Sequence, residues 1–344
     1  MSKIYKHQGV FVLESGKRLS NLHLAYSTSG VLNEQKDNVV WIFHALTGND
    51  KPREWWPGLV GEGCLLNTDE YFIVCVNAPG SCYGSINPLD TNRETGEPFY
   101  HDFPLFTTRD MIKAYQLLKR ELGIDRIKIG VGGSMGGQQL LEWAIDEPSI
   151  FEYIIPIATN AKHSSWGIAF NASQRMCIEH DITWKEKHPE AGMEGMKTAR
   201  SIALISYRNH DTYNEMQQGV TSETKHLPVD QQVFKVETYQ KYQGEKLAKR
   251  FNAFSYYFLS RGMDCHNVGR NRESVEAALR SIEAKTLVIG ISSDILFPTH
   301  EQEFIAQHIP DAKCVIIESL YGHDGFLLEF AQIENEIRKF LVND

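Results

Sequence analysis

Nothing in this sequence is both long and apolar enough to span a bilayer. The opening Met1-Ser2-Lys3-Ile4-Tyr5-Lys6-His7 also lacks the apolar stretch of a secretory leader, so the expected location is the cytoplasm. Basic charge is scarce. Lys and Arg number 35 against 44 Asp and Glu, a formal net charge of -9. That balance argues against a nucleic-acid partner, whose phosphates need a concentrated basic surface, though it leaves room for a local basic pocket. Cysteines are few and scattered, at 64, 75, 82, 177, 265 and 314, with no C-x-x-C pair. Their spacing offers no disulfide framework and predicts reduced, mostly buried thiols. No internal repeat or low-complexity tract interrupts the chain.

What remains is an ordinary globular composition, 42% hydrophobic and 23% charged over 344 residues. It suits one large domain with an insertion, or two modest ones. Residues 10–26 alternate apolar and polar and read as an antiparallel hairpin. Apolar strand-like runs follow at 39–43, 71–76, 127–131, 153–158, 286–291 and 314–317. Helical spacing marks 109–122, with Thr107 or Thr108 as its cap and Gly123 as its stop. It also marks Leu140, Leu141, Trp143, Ala144 and Ile145, then about 299–308 and about 326–341. Strands alternating with helices predict an α/β fold with a mostly parallel sheet and helices on both faces. From 161 to about 280 only helical patterns occur, and strands then resume. The predicted division is therefore a core of residues 1–160 and 281–344 with a helical lid, 161–280, inserted over it. The long Gly-, Pro- and Asn-rich loop at 77–106 is expected to pack over a site.

Gly132-Gly133-Ser134-Met135-Gly136 lies between a strand and a helix. In that setting G-x-S-x-G is a nucleophile elbow, a turn so tight that the serine Oγ stands above the end of the sheet. A serine hydroxyl needs a base, and the base needs an acid to fix its tautomer. Ser292-Ser293-Asp294 follows one strand and Gly322-His323-Asp324-Gly325 follows the next, both at the carboxyl edge where such sheets place their sites. Ser134, Asp294 and His323 are thus the candidate nucleophile, acid and base, in the chain order of an α/β-hydrolase fold. Each partner alone has a plainer reading: a turn cap for Asp294, a hydrogen-bonded loop histidine for His323. Their order and setting favour the triad. The oxyanion hole is expected from the backbone N–H groups of Met135 and of Leu46, the latter in His44-Ala45-Leu46-Thr47-Gly48. No metal site is predicted. His44 has no second ligand at metal spacing, and His163, His180, His188 and His210 are expected at the surface.

Those residues leave open who accepts the acyl group. His44 to Gly48, Gly132 to Gly137 with Glu142-Trp143-Ala144, Ser292-Ser293-Asp294-Ile295-Leu296-Phe297-Pro298 and Gly322-His323-Asp324-Gly325-Phe326-Leu327 together resemble the homoserine O-acyltransferases, chiefly the O-acetyltransferases of methionine biosynthesis. The likeness extends to Phe170-Asn171-Ala172-Ser173-Gln174-Arg175 and Ser260-Arg261-Gly262-Met263-Asp264. It implies a ping-pong reaction with acetyl-CoA as co-substrate, no bound cofactor, an acetyl-Ser134 intermediate and L-homoserine as acceptor. By the same resemblance Arg200, Tyr207 and Asp324 would hold the amino acid, and the lid would supply a homodimer contact. The chain departs from the family at 265–269, and at 77–88, which keeps Gly-x-Cys-x-Gly-Ser but lacks part of the usual extension. A serine carboxylester hydrolase or thioesterase, or a transferase using succinyl-CoA or L-serine, is the alternative.

Overall fold

The computed structural model describes residues 2–342. In chain order it forms β1 (Lys3–Lys6), β2 (Phe11–Val12), β3 (Arg18–Leu19), β4 (His23–Ser29), β5 (Val39–Phe43), α1 (Pro52–Trp55), β6 (Phe72–Val76), α2 (Thr108–Glu121), β7 (Ile127–Gly133), α3 (Met135–Asp146) and β8 (Phe151–Ile157). Six helices follow without a named strand among the described residues: α4 (Ser165–Glu179), α5 (Met193–Tyr207), α6 (His210–Met216), α7 (Lys235–Ala248), α8 (Ala253–Asp264) and α9 (Val275–Arg280). The sheet then resumes with β9 (Lys285–Ile291), α10 (Thr299–His308), β10 (Ala312–Ile317), α11 (Gly325–Leu328) and α12 (Phe330–Val342).

One sheet runs β1-β4-β6-β5-β7-β8-β9-β10. Pairing is parallel from β6 through β10, and antiparallel where β4 joins β1 and β6. The chain has the expected α/β architecture. β5 shows why: every residue from Val39 to Phe43 is buried, and successive side chains must go to opposite faces. Val39, Trp41 and Phe43 join the core built with α2 and α3, where Trp41 meets Trp143 edge-on at 4.9 Å. Val40 and Ile42 join the second core, closed by Ile333, Ile337 and Phe340 of α12.

Several local expectations need correction. The 10–26 hairpin reduces to the two-residue pairs of β2 and β3, while β4 pairs with β1 instead. The helix expected at 326–341 is broken at Glu329. Trp56 donates its indole N–H to the Phe326 carbonyl at 2.9 Å, the acceptor that residue 330 would use in an unbroken helix. Among the cysteines only Cys75 is fully buried. Cys314, for one, lies on the edge strand β10, where one flank is uncovered. His163 is buried, not at the surface. Its ring lies 3.3 Å from Gln138 Nε2 and 3.2 Å from Asn171 Nδ2, between α3 and α4.

Candidate active site

The elbow has the strain its sequence predicts. Ser134 sits at φ 56°, ψ -125°, a conformation that costs a non-glycine residue about 1–3 kcal/mol. Three surroundings hold it there. The Ser134 N–H donates to Ile157 O at 3.0 Å. The Thr159 hydroxyl donates to Ser134 O at 2.8 Å. Gly136 lets α3 start hard against β5, since a Cβ at that position would lie 2.2 Å from the Phe43 carbonyl oxygen.

The structure brings the three candidate residues together. His323 Nε2 lies 2.9 Å from Ser134 Oγ, and His323 Nδ1 lies 2.6 Å from Asp294 Oδ2. Asp294 also caps a turn: its other oxygen, Oδ1, accepts from the N–H groups of Leu296 and Phe297 at 2.8 and 2.9 Å. That turn fixes the carboxylate, so the imidazole must carry its proton on Nδ1 and present an acceptor to the serine. Phe297 stacks on the His323 ring at 5.0 Å, with Phe326 at 5.1 Å and Tyr207 at 5.8 Å. Ser134, Asp294 and His323 are 6%, 5% and 3% exposed, so the three groups meet out of bulk water.

The loop after β5 meets the same edge. Gly48 N–H donates to Ala45 O at 2.8 Å, closing a tight turn over Leu46 and Thr47. His44 is fully buried. Its Nε2 accepts from the Ala78 N–H at 2.9 Å, which leaves the proton on Nδ1, 2.7 Å from Ala45 O. Burial pushes the His44 pKa down, against the pull of the Ala45 carbonyl and Asp50, and so favours this neutral tautomer. Because a trans peptide points its C=O and N–H oppositely, holding Ala45 O fixes the direction of the Leu46 N–H. Among the described residues, neither the Leu46 N–H nor that of Met135, first residue of α3, finds a protein acceptor.

Arg200, Tyr207 and Asp324 also gather beside His323. The Arg200 guanidinium carbon lies 5.2 Å from the Tyr207 ring centroid. Among the described residues no carboxylate forms an ion pair with Arg200. Asp324 has a partner that the sequence did not suggest: Arg208 Nε lies 3.1 Å from its Oδ2, in ion-pair contact but outside hydrogen-bond angles. Burial raises the Asp324 pKa, while Arg208, then Arg200, then His323 pull it back. Burial likewise raises the Tyr207 phenol. Thr159 and Arg208 carried no local sequence signal; each acts through a packing contact between distant segments.

A family model described as the alpha/beta hydrolase fold matches residues 38–330. The chain is 45% identical to a homoserine O-acetyltransferase of Cyclobacterium marinum, over 99% of this chain and 95% of that one. The chain belongs to the homoserine O-acetyltransferase family of α/β hydrolases. Among solved structures, the homoserine O-acetyltransferase from Bacillus anthracis aligns at TM-score 0.91 and 23% identity, covering 99% of this chain and 97% of that one. Esterase E22 aligns at TM-score 0.88 and 23% identity over 99% of both chains. Homoserine O-acetyltransferases and an esterase thus share this backbone, and only side chains can separate transfer from hydrolysis.

Among the described residues no helix is long and apolar enough to cross a membrane, and no cluster of three His, Cys, Asp or Glu side chains could hold a metal ion.

Proposed function

We propose that this chain is a homoserine O-acetyltransferase working through an acetyl-serine intermediate. His323 takes the Ser134 proton as Oγ attacks the thioester carbonyl of acetyl-CoA, and the tetrahedral oxyanion lies against the N–H groups of Leu46 and Met135. Collapse expels the CoA thiolate, which His323 protonates. The γ-hydroxyl of L-homoserine then attacks acetyl-Ser134, again losing its proton to His323, and Ser134 is regenerated. Arg200 receives the substrate carboxylate and Asp324 its ammonium, with Tyr207 packed between Arg200 and the His323 ring. Residues 161–280 act as a lid that keeps the intermediate from water and supplies the contact of a homodimer. We place the enzyme in the cytoplasm, in keeping with its unpaired cysteines.

One observation carries the acceptor assignment: beside Ser134 and His323, Arg200, which forms no ion pair with a carboxylate among the described residues, stands near a largely buried carboxylate, Asp324. A zwitterionic amino acid complements that pair, whereas water needs neither charge. The test is release of CoA from acetyl-CoA with and without L-homoserine, with products identified by mass. Homoserine-dependent release and O-acetylhomoserine are expected, and Ser134→Ala should abolish both. Equal release in the two tubes would make the chain a thioesterase; succinyl-CoA and L-serine in parallel tubes decide donor and acceptor.

A further inference from the structure

The turn that carries the Leu46 N–H is held from two sides, and only one brace, His44, belongs to the sheet. The other comes from the helical insertion. Arg250 lies between α7 and α8. Its Nη1 donates to Thr47 O at 2.7 Å and to Tyr83 Oη at 2.6 Å, while Nη2 reaches Thr47 Oγ1 at 3.4 Å. Next along the chain, Phe251 packs edge-on against Tyr83 at 5.8 Å.

The consequence runs through two peptide planes. Thr47 O and Gly48 N–H belong to one planar group and point in opposite directions. Fixing Thr47 O therefore directs the Gly48 N–H, which lies 2.8 Å from Ala45 O. Ala45 O in turn shares its plane with the Leu46 N–H. A guanidinium on the insertion thus sets the aim of a backbone donor at the sheet edge. An oxyanion donor is effective only at about 2.7–3.1 Å from the developing charge, so a small rotation of this turn matters.

We infer that Arg250 is a positioning residue that couples the seating of the helical insertion to the oxyanion hole. This rests on the reading of Ser134 as nucleophile and Leu46 as oxyanion donor. With the insertion seated, the Leu46 N–H is aimed; with it displaced, the turn loses one of its two braces. Acylation then becomes efficient only when the insertion also covers the intermediate.

The test compares Arg250→Ala and Arg250→Lys with the unaltered enzyme, using acetyl-CoA and, separately, p-nitrophenyl acetate, which has no nucleotide for an arginine to bind. Arg250→Ala should lower kcat by about 10- to 100-fold with both donors, with KM for acetyl-CoA changed less than about threefold. Arg250→Lys should recover much of the rate, because one ammonium can still donate to Thr47 O. The affinity of a trifluoromethyl ketone, which forms a tetrahedral oxyanion on the serine, should fall in parallel with kcat. Unchanged kcat in Arg250→Ala overturns the inference. So does a raised KM for acetyl-CoA with normal p-nitrophenyl acetate turnover, which would make Arg250 a CoA-binding group. If Arg250→Ala fails to fold, the same comparisons are made on Arg250→Lys, whose kcat and ketone affinity should fall together. An unaltered enzyme that forms no acetyl-Ser134 would instead sink the underlying reading.

Discussion

Asp324 serves two opposed demands. In the role proposed for it, it must be ionised to take an ammonium group, yet burial raises its pKa and favours the neutral acid. Arg208, 3.1 Å away, is the strongest pull in the other direction. As pH falls through the raised pKa, Asp324 gains a proton and KM for homoserine should climb, while acetylation of Ser134, which does not use Asp324, should not follow that limb. Arg208→Gln removes a positive charge from the carboxylate, so the homoserine limb should move to higher pH, with KM rising at any pH on that limb. Steady-state KM profiles beside single-turnover acetylation rates would show it, and an unmoved limb would remove Arg208 from this role. The same residues show what a sequence can display. Ser134, Asp294 and His323 each occupy a recognisable local pattern at a strand end, so their convergence could be anticipated one segment at a time. Arg208 has no such pattern. Its partner is 116 positions away along the chain, and the pairing exists only because the end of α5 packs on the loop after β10.

At the scale of elements, that packing depends on Gly322. Its φ is +63°, and a Cβ there would lie 2.8 Å from the Arg208 carbonyl carbon and 2.9 Å from Tyr207 O. The end of α5 and the loop bearing His323 touch backbone to backbone. Gly322→Ala should therefore strain the loop by about 1–3 kcal/mol and also push it off α5, lowering kcat along with the melting temperature. Gly96→Ala is the matched control: φ is +79° with no atom within 4 Å of the new Cβ. It should lose stability and keep its kcat; a Gly322→Ala enzyme that behaves the same way would show that the contact does not position His323. Periodicity reported where such elements lie more reliably than what they touch. The helix at Thr108–Glu121 begins at Thr107 through a local capping box with Asp110, so its start was readable. Alternation at 10–26 announced two-faced extended chain but could not say that β4 would pair with β1 and β6. The break at Glu329 goes with a tryptophan from α1's flank, 270 positions from the Phe326 carbonyl it binds, which no local pattern encodes.

For the whole molecule, one part of the seam between sheet and helical insertion is a buried polar cluster, and this shapes its response to acid. Arg175 pairs with Asp264 at 2.5 Å, Asn171 links Asp264 to the His163 ring, and Gln138 joins that ring to Asn160. His266 Nε2 lies 3.0 Å from Asn160 O. Burial pushes the pKa of His163 down to about 4 and that of His266 down to about 3. In the unfolded chain both would bind protons near an ordinary value of about 6.5. Below that pH the unfolded state gains protons that the native state refuses, so native stability falls as pH drops from about 6.5 towards 4 and is fully present above that window. The loss should amount to roughly a few kcal/mol, less whatever the seam recovers by admitting water. Urea unfolding at pH 7.0 and pH 4.5 measures it. His163→Gln keeps a hydrogen-bonding group and removes one titration, so this variant should start less stable at pH 7.0 but lose less between the two conditions. Equal losses in the two proteins would mean that His163 takes up its proton in the native state, and that the seam between insertion and sheet is wetter than its packing implies.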